Sequence, residues 1–308
     1  MPRRRDFLRF LAAGALVPLP LECEHPGSRR EGQKETEMTP ASACEGPART
    51  RMPVLFVGHG SPLNVLEDNR WSRGFASLRG LVPRPSAILA ISAHWFVGGT
   101  YVTGDVRPRT LHDFSGFPKA LYEIEYRAPG KVDLAERVRD LLVDEVAALS
   151  SDWGFDHGTW SVLRWMFPEA DVPVIQLSID RRVDVRGHYE MGRSLAALRD
   201  EGVLILCSGN VVHNLRDAFR RMQMSTRETP GFAYRFDETV ARIVIERDTH
   251  ALLSLWPGSD DGRLAHPTPD HWLPLLYGYG ATDDGDGVRF PTEGFDWGSI
   301  SMRNILFG

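Results

Sequence analysis

Three histidines in the chain share one local setting. His59 follows the apolar run Val54-Leu55-Phe56-Val57 and Gly58. His94 follows Ala87-Ile88-Leu89-Ala90-Ile91, then Ser92-Ala93. His213 follows Val203-Leu204-Ile205-Leu206-Cys207, then Ser208-Gly209-Asn210-Val211-Val212. Each time an apolar run gives way to small residues and then to an imidazole. A fourth histidine, His271, lies in His266-Pro267-Thr268-Pro269-Asp270-His271-Trp272, where Pro269 is placed to open a helix carrying His271. Glycine and serine beside these histidines allow tight turns and close backbone approach. A lone histidine in such a place is usually a hydrogen-bonded structural residue. Repetition at equivalent positions points instead to a divalent transition metal, because neutral imidazole is the commonest metal ligand.

The other histidines divide by context. His112, in Leu111-His112-Asp113-Phe114, and His157, in Asp156-His157-Gly158-Thr159, are candidates for proton transfer or substrate contact. His266 ranks below His271, His188 and His250 are expected on solvated helix surfaces, and His25 lies outside the folded body. No HExxH or CxxC pair, GxSxG elbow, phosphate-binding loop with its lysine, or dinucleotide glycine fingerprint occurs in the chain.

Short apolar runs rich in branched residues predict strands at Val54–Val57, Ala87–Ser92, Val172–Leu177 and Val203–Cys207. Being apolar throughout, they suit strands covered on both faces. Helical spacing appears over Leu134–Leu149, Thr159–Phe167, His188–Arg199 and Phe232–Glu246. Strands alternating with helices predict an α/β fold. We expect a single-domain layered sheet flanked by helices, with a metal site at the carboxyl ends of the strands. Residues 52–308 contain no repeat, linker or low-complexity tract, so one domain is expected there.

Net charge is −5, which leaves no cationic field for nucleic acid, and the three cysteines cannot build a disulfide framework. Residues 1–51 read as a twin-arginine-like signal followed by a polar, disordered linker. Arg3-Arg4-Arg5 precede Phe7-Leu8, and the apolar stretch Leu11–Leu21 is too short to span a bilayer. The expectation is export by the twin-arginine machinery to the periplasm, with no stable membrane span. A cytoplasmic protein is the alternative if translation starts at Met38.

Gly58-His59-Gly60-Ser61-Pro62, Ser92-Ala93-His94-Trp95, His112-Asp113-Phe114, Asp156-His157-Gly158, Ser208-Gly209-Asn210-Val211-Val212-His213-Asn214 and Thr268-Pro269-Asp270-His271 occur together in this order. With this set, residues 52–308 resemble the DOPA-type extradiol aromatic ring-opening dioxygenases, a branch of the class III extradiol enzymes. The resemblance implies one divalent metal per chain, with His59, His94, His213 and His271 as the metal-site histidines, and leaves open whether His213 is a ligand or the base. It implies a small aromatic diol and O2 as substrates. His157 or His213 would be the acid–base group, His112 would orient substrate, and Trp95, Phe114 and Trp272 would wall the ring. Fe(II) is expected for catalysis, although Zn(II) also suits a histidine-rich site. A zinc-dependent hydrolase of an ester or amide on a similar scaffold is the alternative function.

Overall fold

The structure is a computed structural model and describes residues 51–308. The export signal, the linker, His25, Cys23 and Cys44 lie outside the described residues. Ten strands are present: β1 Val54–Gly58, β2 Ala87–Val97, β3 Tyr101–Thr103, β4 Ala148–Ser150, β5 Val174–Asp180, β6 Val203–Gly209, β7 Val288–Arg289, β8 Phe295–Asp296, β9 Ile300–Ser301 and β10 Ile305–Phe307. The helices are α1 Arg70–Leu78, α2 Lys119–Tyr122, α3 Val132–Leu141, α4 His157–Met166, α5 Val185–Leu195, α6 Leu215–Gln223, α7 Gly231–Glu246, α8 Thr249–Gly258, α9 Asp260–Ala265 and α10 Leu273–Gly280. Among the described residues no helix is long and apolar enough to cross a membrane.

Eight strands form one sheet in the order β4-β3-β5-β2-β6-β1-β10-β7, and β8 pairs with β9 apart from it. The centre, β5-β2-β6-β1, is parallel, as continuous apolar runs require. Alternate side chains of these strands enter two separate cores. Val54, Phe56, Leu89, Ile91, Ile205 and Cys207 face the layer of α3, α5, α7 and α10. Leu55, Val57, Ile88, Ala90, Leu204 and Leu206 face the layer of α1 and α4. The period-2 alternation of a strand thus becomes a three-layer domain in which both faces of the sheet are dry.

Several expectations need correction. The helix read over Leu134–Leu149 ends at Leu141. Val146 takes a left-handed backbone (φ 50°), and Ala148–Ser150 pairs with β3 as a strand. The second strand does not stop at Ser92 but continues to Val97, and its pairing with β5 jumps from Ile91 to Phe96. His94 therefore sits in an irregular stretch of β2 rather than beyond its end, which re-aims its side chain. His271 occupies a turn before α10, which starts at Leu273, because Pro269 contributes its carbonyl to Trp272 N and Leu273 N instead of opening the helix. His188 is fully buried and bonded to Tyr277 Oη at 3.0 Å, whereas His250 is exposed as expected.

Candidate metal centre

The carboxyl ends of β1 and β6 and the irregular stretch of β2 converge. The chain path brings two further elements over them. His271 packs its backbone onto the end of β6, where Asn210 N donates to His271 O at 3.1 Å, and a Cβ on Gly209 would lie 2.4 Å from that oxygen. Helix α4 begins against the same ends. A Cβ on Gly158 would lie 2.5 Å from Ser92 Oγ and 3.0 Å from His94 Cδ2, so only glycine lets the helix approach this closely.

His59, His94 and His271 each turn one ring nitrogen toward a common point, and these nitrogens lie within 4.8 Å of one another. His59 and His271 are buried, and the His94 side chain is 19% exposed. The other nitrogen of each ring is held from outside. Ser208 Oγ donates to Gly158 O at 2.6 Å, so it accepts the Nδ1–H of His59 at 2.9 Å. His94 Nδ1 lies 3.2 Å from Asp113 Oδ2, and His271 Nδ1 lies 2.6 Å from Asp270 Oδ2. Protons on all three Nδ1 atoms leave lone pairs on the three Nε2 atoms. His59 Nε2 and His94 Nε2 are 3.0 Å apart. Two lone pairs at that separation repel unless a cation lies between them, so the donor set fits a divalent metal. Burial, reinforced by the neighbouring imidazoles, keeps His59 and His271 well below the ordinary histidine range. Burial and His157 do the same for His94 against the opposing pull of Asp113. The three rings are therefore neutral, the form that coordinates.

Other residues surround this trio. His213 lies flat on His271, with centroids 3.4 Å apart and planes 6° apart. Its ring groups with Asp270 and His271 rather than with the trio. Its backbone is pinned by Ala265 O at 3.0 Å and by a bridge to Ile300. His157, the first residue of α4, is 3.8 Å from His94 between centroids. Asp113 clasps it twice: Oδ1 accepts the backbone N–H at 2.8 Å and Oδ2 accepts Nδ1–H at 2.8 Å. Asp113 is there because residues 109–111 pair with Phe155, through Phe155 N to Arg109 O (2.8 Å) and Leu111 N to Phe155 O (2.7 Å). Burial acts to raise the Asp113 pKa, but the His157 hydrogen bonds and the neighbouring imidazoles prevail and hold it at about 2. Beneath lies Asp156, the cap of α4, bonded to Ser92 and Gln176 and pushed up by burial to about 6.

His112 is tethered by Nε2 to Ile124 O at 3.0 Å and reaches the cluster through Phe114, whose ring touches both His112 and His157. Of the three aromatics considered for the substrate wall, Phe114 alone touches the histidine cluster. Trp95 is buried against Trp153 and Tyr101, and Trp272 is buried between Phe236 and His266. His266 is also a core residue, bonded to Val211 O at 2.8 Å. Asp113, Asp270 and Ser208 stand inside the quoted motifs but drew no role from sequence. The carboxylates next to His112 and His271 were the signal for two of them.

Neutral, externally braced imidazoles gathered at the ends of a parallel sheet define a metal-dependent α/β enzyme. Residues 55–308 match the family described as the catalytic LigB subunit of aromatic ring-opening dioxygenase, and the chain belongs to that family. It is a metal-dependent extradiol dioxygenase that incorporates O2 in opening an aromatic ring. The 4,5-DOPA dioxygenase extradiol of Escherichia coli (strain K12) is 47% identical over 263 residues, covering 84% of this chain and 96% of that protein. The protein of the same description from Beta vulgaris is 34% identical over 82% of this chain and 96% of its own length. A crystal structure of an uncharacterized Escherichia coli K12 protein is 42% identical with a TM-score of 0.72, over 84% of this chain and all of that one. The hydrolase reading has no support among these relatives.

Proposed function

We propose that the chain opens the ring of a DOPA-like catechol, with Fe(II) held by His59, His94 and His271. The carrying observation is the approach of His59 Nε2 and His94 Nε2 to 3.0 Å with both Nδ1 atoms engaged elsewhere. When bound, the metal supplies Lewis acidity toward the two catechol oxygens and the redox chemistry that O2 requires; zinc fits three imidazoles equally but lacks the second property. The DOPA assignment draws on the relatives named for that activity over nearly their whole length.

The residues around the trio then divide the remaining work. With Nδ1–H given to Asp113, His157 presents an Nε2 lone pair and accepts a catechol hydroxyl proton, returning it later in the cycle. His213 is the second proton-transfer candidate, held against His271 outside the ligand trio. Phe114, edge-on to His157 at 5.5 Å, walls the ring. His112 keeps Nδ1 as its free polar atom for orienting substrate. Residues 3–21 support export to the periplasm by the twin-arginine route, and fractionation of cells expressing the full chain tests it.

The deciding experiment is oxygen uptake by the Fe(II)-loaded protein with a catechol panel, with absorbance read in parallel. Uptake with a yellow product supports the reading. No uptake with iron confirmed in place overturns it. Full-rate cleavage by iron-free zinc protein overturns the assignment of iron.

A further inference from the structure

A cavity of about 550 Å³ opens beyond the end of β1, outside the ring of histidines. Its lining includes Ser61, two residues beyond His59, together with Asp296 and Trp297. Two antiparallel pairings measure its position. Asp296 faces Ile300 across β8 and β9, and Ile300 faces His213. Directly opposed residues in antiparallel strands are about 5 Å apart, so the Asp296 backbone is about 10 Å from that of His213. Opposed side chains also share a face. Ser61 and Asp296 thus tie the cavity to the segments that carry His59 and His213.

The chemistry of the lining is that of a zwitterion receptor. Arg227 lies over the Trp297 ring at 4.4 Å. Among the described residues its guanidinium forms no ion pair, which leaves its donor fork for a carboxylate. Asp296 lines the same cavity without forming an ion pair with Arg227. Burial raises its pKa and Arg227 pulls it back, while Glu67 adds a second negative charge nearby. The wall between them is held in place. Trp297 takes a left-handed backbone (φ 46°), uncommon for an aromatic residue, and Gly298 follows it at φ 69°. A Cβ on Gly298 would lie 2.3 Å from Glu228 O, and Arg221 Nη1 donates to that same oxygen at 2.6 Å. The segment bearing Arg227 is thus clamped onto the turn bearing Trp297.

We propose that this cavity is the subsite for the α-amino acid end of the substrate, with Arg227 binding the carboxylate and Asp296, aided by Glu67, the ammonium. Trp71 and Trp297 cover the carbons between. The inference rests on the catechol reading above and adds to it the residues that select an amino-acid catechol over a plain one.

The test compares L-DOPA, dopamine, 3,4-dihydroxyphenylpropionate and 4-methylcatechol on the Fe(II)-loaded full chain. In Arg227→Met the preference in kcat/KM for L-DOPA and for the propionate over 4-methylcatechol falls about 10- to 100-fold. In Asp296→Asn the preference for L-DOPA and dopamine falls instead, and Arg227→Lys restores part of the carboxylate preference. Melting curves of each variant confirm folding. Unchanged preferences, or equal losses on all four compounds, overturn the subsite while ring opening stands. Absence of turnover on every compound by the wild-type protein overturns the catechol reading, and the subsite with it.

Discussion

Asp113 holds His157 by two bonds at once, Oδ1 from the backbone N–H and Oδ2 from Nδ1–H, each 2.8 Å long. The first fixes the start of α4 and the second fixes which nitrogen of the ring carries the proton. The same Oδ2 lies 3.2 Å from His94 Nδ1, so one carboxylate aligns a metal-binding ring and a proton-transfer ring.

Asp113→Asn is therefore expected to lower kcat by about 10²- to 10⁴-fold, the range for losing a positioned acid–base group. At saturating metal the variant still binds one ion per chain, because the trio keeps its three Nε2 atoms. Steady-state rates and metal analysis on one preparation check this. Full kcat in the variant would remove His157 from the proposed role.

This pairing also marks where reading the sequence stops. The strand-end position of His59 and the parallel centre of the sheet are legible, because a buried parallel strand leaves an unbroken apolar run, whereas the continuation of β2 past His94 to Val97 is not. Neither is Asp113. It reaches His157 through the pairing of residues 109–111 with Phe155, a contact between loops without periodicity. Strands β3 and β4 have three residues each, too few to show alternation. His188, expected on a solvated face, is buried because it shares one stripe of α5 with Met191 and Leu195 at helical spacing. The grouping of His213 with Asp270 and His271 rather than with the trio depends on where the ring nitrogens fall in space, which no spacing encodes.

Gly158→Ala tests the close approach of α4 to the strand ends. The added methyl meets Ser92 Oγ and His94 Cδ2, and neither atom can withdraw without disturbing the site. Overpacking of this kind costs about 1–3 kcal/mol. The expected result is a lower unfolding midpoint in urea together with weaker metal binding. A midpoint equal to wild type would show that the helix shifts freely.

Far from the site, Arg199 closes the domain. It is 1% exposed, donates to Met52 O at 2.7 Å and Ala281 O at 3.0 Å, and pairs with Asp286. Arg199→Met leaves that carboxylate and two carbonyls without their donor and is expected to destabilise the fold by about 3–5 kcal/mol. Burial works to raise the Asp286 pKa, but the Arg199 hydrogen bond, the Asp283 backbone N–H and the charges of Arg199 and Arg51 together outweigh it and hold the group below its ordinary 3.8. A depressed carboxylate stabilises the fold above its unfolded pKa, and the contribution fades as pH falls through the folded value. Stability measured below pH 4 should accordingly fall less steeply in Asp286→Asn than in wild type. Parallel curves would contradict the pairing.

Metal loading separates the ligand trio from the histidine stacked on it. A ligand that binds only the folded state stabilises it by about 2.7 kcal/mol at 100 times its Kd. In a domain of this size that is a rise of about 5–10 °C in Tm. His59→Ala, His94→Ala and His271→Ala each remove one of the converging nitrogens, so metal should no longer raise their Tm and bound ion per chain should fall well below one. His213→Ala removes a ring that lies against His271 without joining the convergence, so it should keep both the metal-induced shift and the stoichiometry. Measuring all four variants with and without chelator makes the comparison internal. Loss of metal from His213→Ala equal to that from His59→Ala would make it a fourth ligand and leave His157 as the sole imidazole available for proton transfer.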